Sequence, residues 1–361
     1  FKDPIIMNSK PDIFPVLING FKNIKLLKDL LIKNKILYGY LNENFSDHRL
    51  KQLFSRYSTY VGGSPFNSPS ILSLIWHVEC QGVWRIAGGM YDLVKQIETI
   101  SKRSDASFFY KNKVKKILMK NNKINGIELK NNKVIDCDTI IFNGDPKALF
   151  DGLLGDEIQN AVSNNNINKR SLSAYVWSFA AKTQGLDLLH HNVLFNKNYK
   201  SEFDDIKRGE IPKDPTLYIC AQGSINNPRP KEKSLGRFEI IINGSPTYNH
   251  KKYNKQKEYT KCKEITFSIL DSMGLKMDLK PTEEMLTTPK EFEQLFPGSQ
   301  GSLYGRTPHG ISSTFMRPRN KSKIKGLLLA GGGTHPGAGI PMACLSGKHA
   351  AEMILKDLSL T

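Results

Sequence analysis

Apolar and polar positions follow two different periods along the 361-residue chain. Over roughly the first hundred residues the period is helical. Ile24, Leu27, Leu30 and Leu31 share a face while Lys22, Lys25, Lys28 and Lys33 take other positions, which predicts a basic amphipathic helix. Ser68–Pro69 reads as an N-cap and first-turn proline for a helix whose apolar face is Ile71, Leu74, Ile75 and Val78. A short strand at Val83–Ile86 then runs into Gly88–Gly89, and Met90, Leu93, Val94 and Ile97 resume a period near 3.6.

From Ser107 to Asn143 the pattern changes to short apolar runs between Asn-rich turns: Phe108–Tyr110, Val114–Met119, Ile124–Leu129, Val134–Ile135 and Thr139–Phe142. Such runs predict a β-meander. Ser171–Ala181, Asn192–Phe195, Leu217–Ala221 and Arg237–Ile242 form a second strand group, interleaved with a Lys-rich helix around Lys255–Ser272 whose apolar spacing is weak. Gly326–Leu329 reads as a buried strand, the run to Pro341 as a glycine-rich turn, and Met342–Leu358 as a helix. No internal repeat is visible.

Composition narrows the class. A chain of this length with 39% hydrophobic and 24% charged residues has enough apolar surface for two folded domains, and is not disordered, collagen-like or a disulfide scaffold. Five cysteines without a C-x-x-C pair fit a reducing compartment better than a disulfide framework or zinc motif. No apolar run reaches the 18 or so residues of a membrane-spanning helix, and the N-terminus does not resemble a signal peptide. The net charge of +18 comes from 41 Lys and only 11 Arg. Arg is the usual planar reader of phosphates and base edges, so this skew argues against nucleic acid and leaves a solvated Lys surface or attraction to an acidic membrane.

Candidate chemistry concentrates in one turn. The strand Leu327–Ala330 leads into Gly331–Gly332–Gly333–Thr334–His335–Pro336–Gly337–Ala338–Gly339–Ile340–Pro341, five glycines within nine residues, and then a helix. Glycine lets backbone approach a flat or phosphorylated ligand closely. A helix N-terminus beyond it offers unpaired N–H groups and a positive dipole end. A purely structural turn has the same ingredients. There is no Ser/His/Asp array, no H-E-x-x-H and no close carboxylate pair in an apolar setting. His190–His191 has no third ligand nearby in sequence and is expected at the surface. Trp76, Trp84, Trp177, Tyr175 and Phe179 could line a tunnel, although ordinary core is the commoner fate of such residues. Lys251–Lys263, with Tyr253 and Tyr259 between lysines, reads as a solvated helix face rather than a nucleic-acid surface.

The run Gly331–Gly347 resembles the C-terminal signature of the FAD-dependent carotenoid (phytoene-type) desaturases. Tyr60–Phe66, Gly82–Met90 and Asn143–Pro146 match the same family in the same order, so the resemblance covers most of the chain from about Phe45 onward. Within the family, Leu303–Gly310 followed by Phe315–Pro318 is most similar to the 1-hydroxycarotenoid 3,4-desaturases. The resemblance implies an α/β, or mixed α+β, flavoprotein of the amine-oxidase-like type with a Rossmann-like FAD-binding part and a substrate domain of antiparallel sheet plus helices. Residues 1–81 would be the helical, membrane-facing part of the substrate domain and 82–147 part of the FAD-binding domain, including the meander. Residues 148–319 would form the substrate-binding domain, and 320–361 the return to the FAD-binding domain.

The resemblance further implies FAD as cofactor, with Gly88, Gly89, Val114, Asp145, Gly331, Gly332, Gly333, Thr334, Gly337, Gly339, Ile340 and Pro341 around it. Arg306 and His309 would be substrate contacts, with His309 and His335 as candidates for proton transfer. Many amine-oxidase-like flavoproteins place an acidic residue where Gly332 or Gly333 stands, so backbone N–H groups would have to serve the ribityl chain. The family opens with a G-x-G-x-x-G motif that these residues lack, so the dinucleotide-binding portion is expected to be missing and FAD binding by this chain alone to be poor. The implied activity is desaturation of a carotenoid drawn from a membrane, by an enzyme peripheral to its cytoplasmic face and of open oligomeric state. A phytoene or diapophytoene desaturase and a non-catalytic isoprenoid carrier are the alternatives.

Overall fold

The computed structural model describes residues 6–9, 36–222, 235–247, 254–310, 313 and 316–359. The basic helix predicted around Ile24, and the residues Tyr253 and Phe315, lie outside them. The helical start is real but differently punctuated. Leu37 and Leu41 bury one face of a helix at Leu37–Asn44, and a second helix, His48–Ser55, is capped by Asp47, whose carboxylate accepts the Arg49 N–H at 2.8 Å. Ser68 does not cap the next helix. Its carbonyl instead accepts the Leu37 N–H at 2.8 Å, and the chain after Pro69 makes a 3-10 turn, Ser70–Ser73, before one short helix at Leu74–Glu79. The strand predicted at Val83–Ile86 is absent, because the segment finds no ladder partner among the described residues and leaves Trp84 82% exposed. Helix Met90–Arg103 follows as expected.

Strands β1 (Val114–Lys120), β2 (Lys123–Leu129) and β3 (Val134–Asp136) make the predicted antiparallel meander. Its predicted outer members differ. Phe108–Tyr110 forms no strand, and β4 (Ile140–Phe142) leaves the meander to pair in parallel with a strand from the far end of the chain, Ile140 opposite Leu327 and Phe142 opposite Leu329. Both partners are short apolar runs without alternation, as parallel strands are, although only β11 is buried throughout and Ile141 of β4 is exposed. The amphipathic β1–β3 instead needs only one face covered. Below the meander Ile117, Ile124, Leu149, Ile158, Leu327 and Leu329 form a core.

The largest sheet comprises β5 (Ser173–Gly185), β6 (His191–Leu194), β7 (Leu217–Ala221), β8 (Gly236–Gly244), β9 (Leu275–Asp278) and β10 (Leu286–Thr287), with β11 (Leu327–Leu329) belonging to the parallel pair. Its order is β10-β5-β8-β7-β6, and β9 pairs with the end of β5. One face carries Tyr175, Trp177, Ile219, Ile240 and Ile242 and is backed by helix Lys255–Ser272. That helix buries Cys262, Thr266 and Leu270, one residue per turn, and the middle one of the three is unremarkable in a hydropathy profile. Trp177 donates from Nε1 to the Thr266 hydroxyl at 3.1 Å and packs edge-on against Phe267. Of the aromatics considered for a tunnel, Trp177, Tyr175 and Phe179 therefore build this core, whereas Trp76 and Trp84 are exposed.

Candidate cofactor site

Three chain segments meet where the parallel pair ends. β11 runs out at Ala330, whose N–H donates to the Phe142 carbonyl at 3.0 Å, so the turn after β11 and the turn after β4 leave side by side. Gly331 has φ 106°, and a Cβ there would stand 2.5 Å from Asn143 Oδ1. The third segment arrives at Gly305 (φ 66°), where a Cβ would sit 2.9 Å from the Gly333 Cα. Glycine at these points is what allows the backbones to close up. The Asp145 carboxylate accepts the Lys147 N–H at 2.9 Å and holds the start of the short helix Pro146–Phe150.

Between these segments and the meander lies an open cleft of about 630 Å³, within the usual range of roughly 300–1,000 Å³ for cofactor and small-molecule sites. Gly305, Ala330, Gly332 and Gly333 form one wall, Val114 with Lys113 and Lys115 another, and Phe142, Leu153, Phe296 and Leu303 supply apolar surface.

The protein behind this wall is highly charged for a buried region. Arg170 and Asp145 form an ion pair with both side chains buried, and Arg170 Nε also donates to the Ser299 carbonyl at 3.2 Å. Arg317 donates from Nη1 to the carbonyls of Tyr304 (2.8 Å) and Gly332 (3.0 Å), and from Nη2 to that of Arg306 (3.1 Å). Burial, with Arg170 and Arg306 as cationic neighbours, lowers its pKa to about 10 against the opposing pull of Asp145. Arg306 donates to the Asn165 carbonyl and to Met316 Sδ, and burial lowers its pKa also. Arg317 thus ties the Gly332 carbonyl to the 304–306 segment from behind.

Among the residues predicted for the cofactor, Val114, Asp145, Gly332 and Gly333 line the cleft, and Gly331 sits at its edge against Asn143. Thr334 is buried, and its hydroxyl has no hydrogen-bond partner among the described residues. Gly337 packs on Arg317, while Gly339, Ile340 and Pro341 are exposed where helix Ile340–Ser359 opens. Gly88 and Gly89 have positive φ at the start of helix Met90–Arg103 and are not among the cleft's lining residues. Arg306 engages Nη1 and Nη2 with internal partners, while its buried Nε has none among the described residues. His335 is buried, with Nε2 3.0 Å from the Asn8 carbonyl.

His309 lines a separate cleft of about 830 Å³ together with Ser64, Phe66, Lys169, Arg170 and Phe203. There its Nε2 accepts the Ser64 N–H at 2.9 Å, and burial together with the Lys169 charge lowers its pKa to about 4, so the ring is neutral. Arg170 and Arg317 were not among the predicted residues. A signal for them exists in the composition, since an Arg kept in a chain that otherwise uses Lys marks a place where a planar, multidentate donor is required.

These residues fit a flat, partly charged cofactor such as FAD. The glycine wall presents backbone without side chains, and the apolar surface suits a ring system.

Comparison with known proteins agrees with that fit. Residues 269–355 match the family of flavin containing amine oxidoreductases. The chain is 43% identical to a hydroxyneurosporene desaturase of Cereibacter sphaeroides, over 99% of this chain and 71% of that protein. It is also 43% identical to the hydroxyneurosporene desaturase of Rhodobacter capsulatus, over 97% of this chain and 67% of that protein. A 1-hydroxycarotenoid 3,4-desaturase from a Flavobacterium species is 31% identical, over 87% and 64%. Among solved structures, an oxidoreductase from Methanosarcina mazei superposes with a TM-score of 0.54 at 16% identity, covering 94% of this chain and 74% of that one, which shows a shared fold.

Proposed function

We infer the activity from one premise: the chain belongs to the FAD-dependent carotenoid desaturases. It is an oxidoreductase that uses FAD. We propose that its substrate is an acyclic 1-hydroxycarotenoid, desaturated between C3 and C4. Two hydrogens leave the substrate, one as hydride and one as a proton that passes to solvent, and a double bond forms between the carbons that carried them. When bound, FAD supplies the hydride acceptor. The polyene spreads the developing positive charge, so the reaction asks little of a strong acid or base.

The observation that carries this reading is a glycine-walled cleft with apolar surface whose buried ionic groups are engaged with one another or with backbone. The chain's tasks are then to bind, orient and keep water out. Val114, Asp145 and Gly331 to Thr334 would hold the cofactor, with Gly88, Gly89, Gly337, Gly339, Ile340 and Pro341 extending the site. Asp145 and Arg317 would act by fixing the wall, and neutral His309 is suited to accept a hydrogen bond rather than to act as a cationic group.

We further propose the domain division 1–81, 82–147, 148–319 and 320–361, and a position on the cytoplasmic face of a membrane, favoured by the +18 charge and the lipid solubility of the substrate. No helix of the described residues is long and apolar enough to cross a membrane. The test is to supply FAD-loaded protein with vesicles carrying a 1-hydroxylated acyclic carotenoid, lycopene or phytoene in turn. A red shift of the pigment spectrum is expected only with the hydroxylated substrate. Conversion of phytoene in preference to it would sink the proposal.

A further inference from the structure

The large sheet has a second chemistry-bearing place, away from the cofactor cleft. β6 is its edge strand, and His191 at the start of β6 stands directly opposite Cys220 of β7. Glu239 of β8 stands opposite Cys220 on the other side, so the row His191, Cys220, Glu239 runs across three strands on the face opposite to Ile219 and Ile240. His190 joins this row although it precedes the strand, where alternation would send consecutive side chains apart. Its carbonyl accepts the Ala221 N–H at 2.9 Å, and its ring lies edge-on to that of His191 with centroids 4.4 Å apart. One ligand atom from each of His190, His191 and Cys220 lies within 4.8 Å of the other two.

We propose that His190, His191 and Cys220 form a binding site for a borderline-soft divalent cation of the Zn²⁺ class. A tetrahedral zinc with bonds of about 2.3 Å to sulfur and 2.0–2.1 Å to nitrogen separates those two ligands by roughly 3.6 Å, and Cys220 Sγ is 3.8 Å from His190 Nε2. The pair therefore needs little movement to share an ion. Tyr218 holds the His191 ring by a 2.6 Å hydrogen bond at Nδ1, the kind of outer contact that orients a metal-binding imidazole while leaving Nε2 for the ion. Glu239 adds a neighbouring acidic side chain. Three protein ligands of this type leave a fourth position for water. The bound ion would clip the edge strand β6 and the turn before it to β7.

The test uses protein stripped with EDTA and titrated with Co²⁺, which reports thiolate ligation through a charge-transfer band in the near ultraviolet. One Co²⁺ per chain is expected, with that band, displaced by equimolar Zn²⁺. Cys220→Ser should remove the band, and His191→Gln, at an exposed position, should weaken binding about tenfold or more. Cys80→Ser and Cys344→Ser, at exposed thiols, should leave it unchanged. Absence of the band at stoichiometric Co²⁺, its survival in Cys220→Ser, or unchanged affinity in His191→Gln would each overturn the proposal. The readout needs neither FAD nor carotenoid, so it stands or falls separately from the proposed activity.

Discussion

Replacing Asp145 by Asn probes the charge arrangement behind the cleft wall. The carboxylate pairs with buried Arg170, and it is also the anionic neighbour that opposes the lowered pKa of Arg317. Asn retains the side-chain oxygen that accepts the Lys147 N–H, so the helix cap, worth about 1 kcal/mol, survives and only the charge is lost. Removing one member of a buried pair leaves the other uncompensated and typically costs about 3–5 kcal/mol. Asp145→Asn should therefore lower the unfolding free energy by about that amount in urea titrations at neutral pH, followed by the fluorescence of the core residue Trp177. Adding Arg170→Met removes the stranded cation and should restore part of the loss, the remainder reflecting the donor that the Ser299 carbonyl loses. A single variant within about 0.5 kcal/mol of the parent, or a double variant no better than the single, would refute this reasoning.

Further outcomes follow from the same geometry. Gly305→Ala places a Cβ against the Gly333 backbone at a residue with positive φ, and should cost about 1–3 kcal/mol and weaken FAD binding, read by flavin fluorescence titration. His309 is held neutral, with a folded pKa near 4 against 6.5 for the free side chain. The unfolded chain therefore binds its proton first, and the stability due to this group is complete above pH 6.5 and is lost as pH falls from there toward 4. The slope in that window should approach 1.4 kcal/mol per pH unit at most, and urea midpoints of His309→Gln should show a correspondingly flatter pH dependence. Trp177→Ala empties the middle of the largest core and should cost about 3–5 kcal/mol in urea titrations followed by far-ultraviolet circular dichroism.

What could be read from the sequence was mostly local. β7 and helix Lys255–Ser272 fall at their predicted bounds, and the glycine turn beyond β11 forms one wall of the candidate site. Misreadings arose where a distant partner decided the local structure. Thr139–Phe142 looks like a last meander strand until Leu327–Leu329 is available to pair with it. Ser68 has the chemistry of a cap, yet its carbonyl is claimed by Leu37 and its buried hydroxyl has no partner among the described residues. Val83–Ile86 has the residues of a strand but no ladder among the described residues. The same limit hid Arg170 and Arg317, whose partners Asp145 and Gly332 lie 25 and 15 residues away. It also hid Cys220, brought to His191 only by the register of β6 and β7.

The most direct test of the proposed activity is an anaerobic single turnover. Protein loaded with FAD and mixed with vesicles containing a 1-hydroxylated acyclic carotenoid should lose the visible band of oxidised flavin in step with the red shift of the carotenoid. One flavin should be reduced for each double bond formed, and Gly333→Val, which places a side chain in the cleft wall, should abolish both signals. Flavin that stays oxidised while the carotenoid is converted, or bound FAD that no carotenoid reduces, would contradict the account.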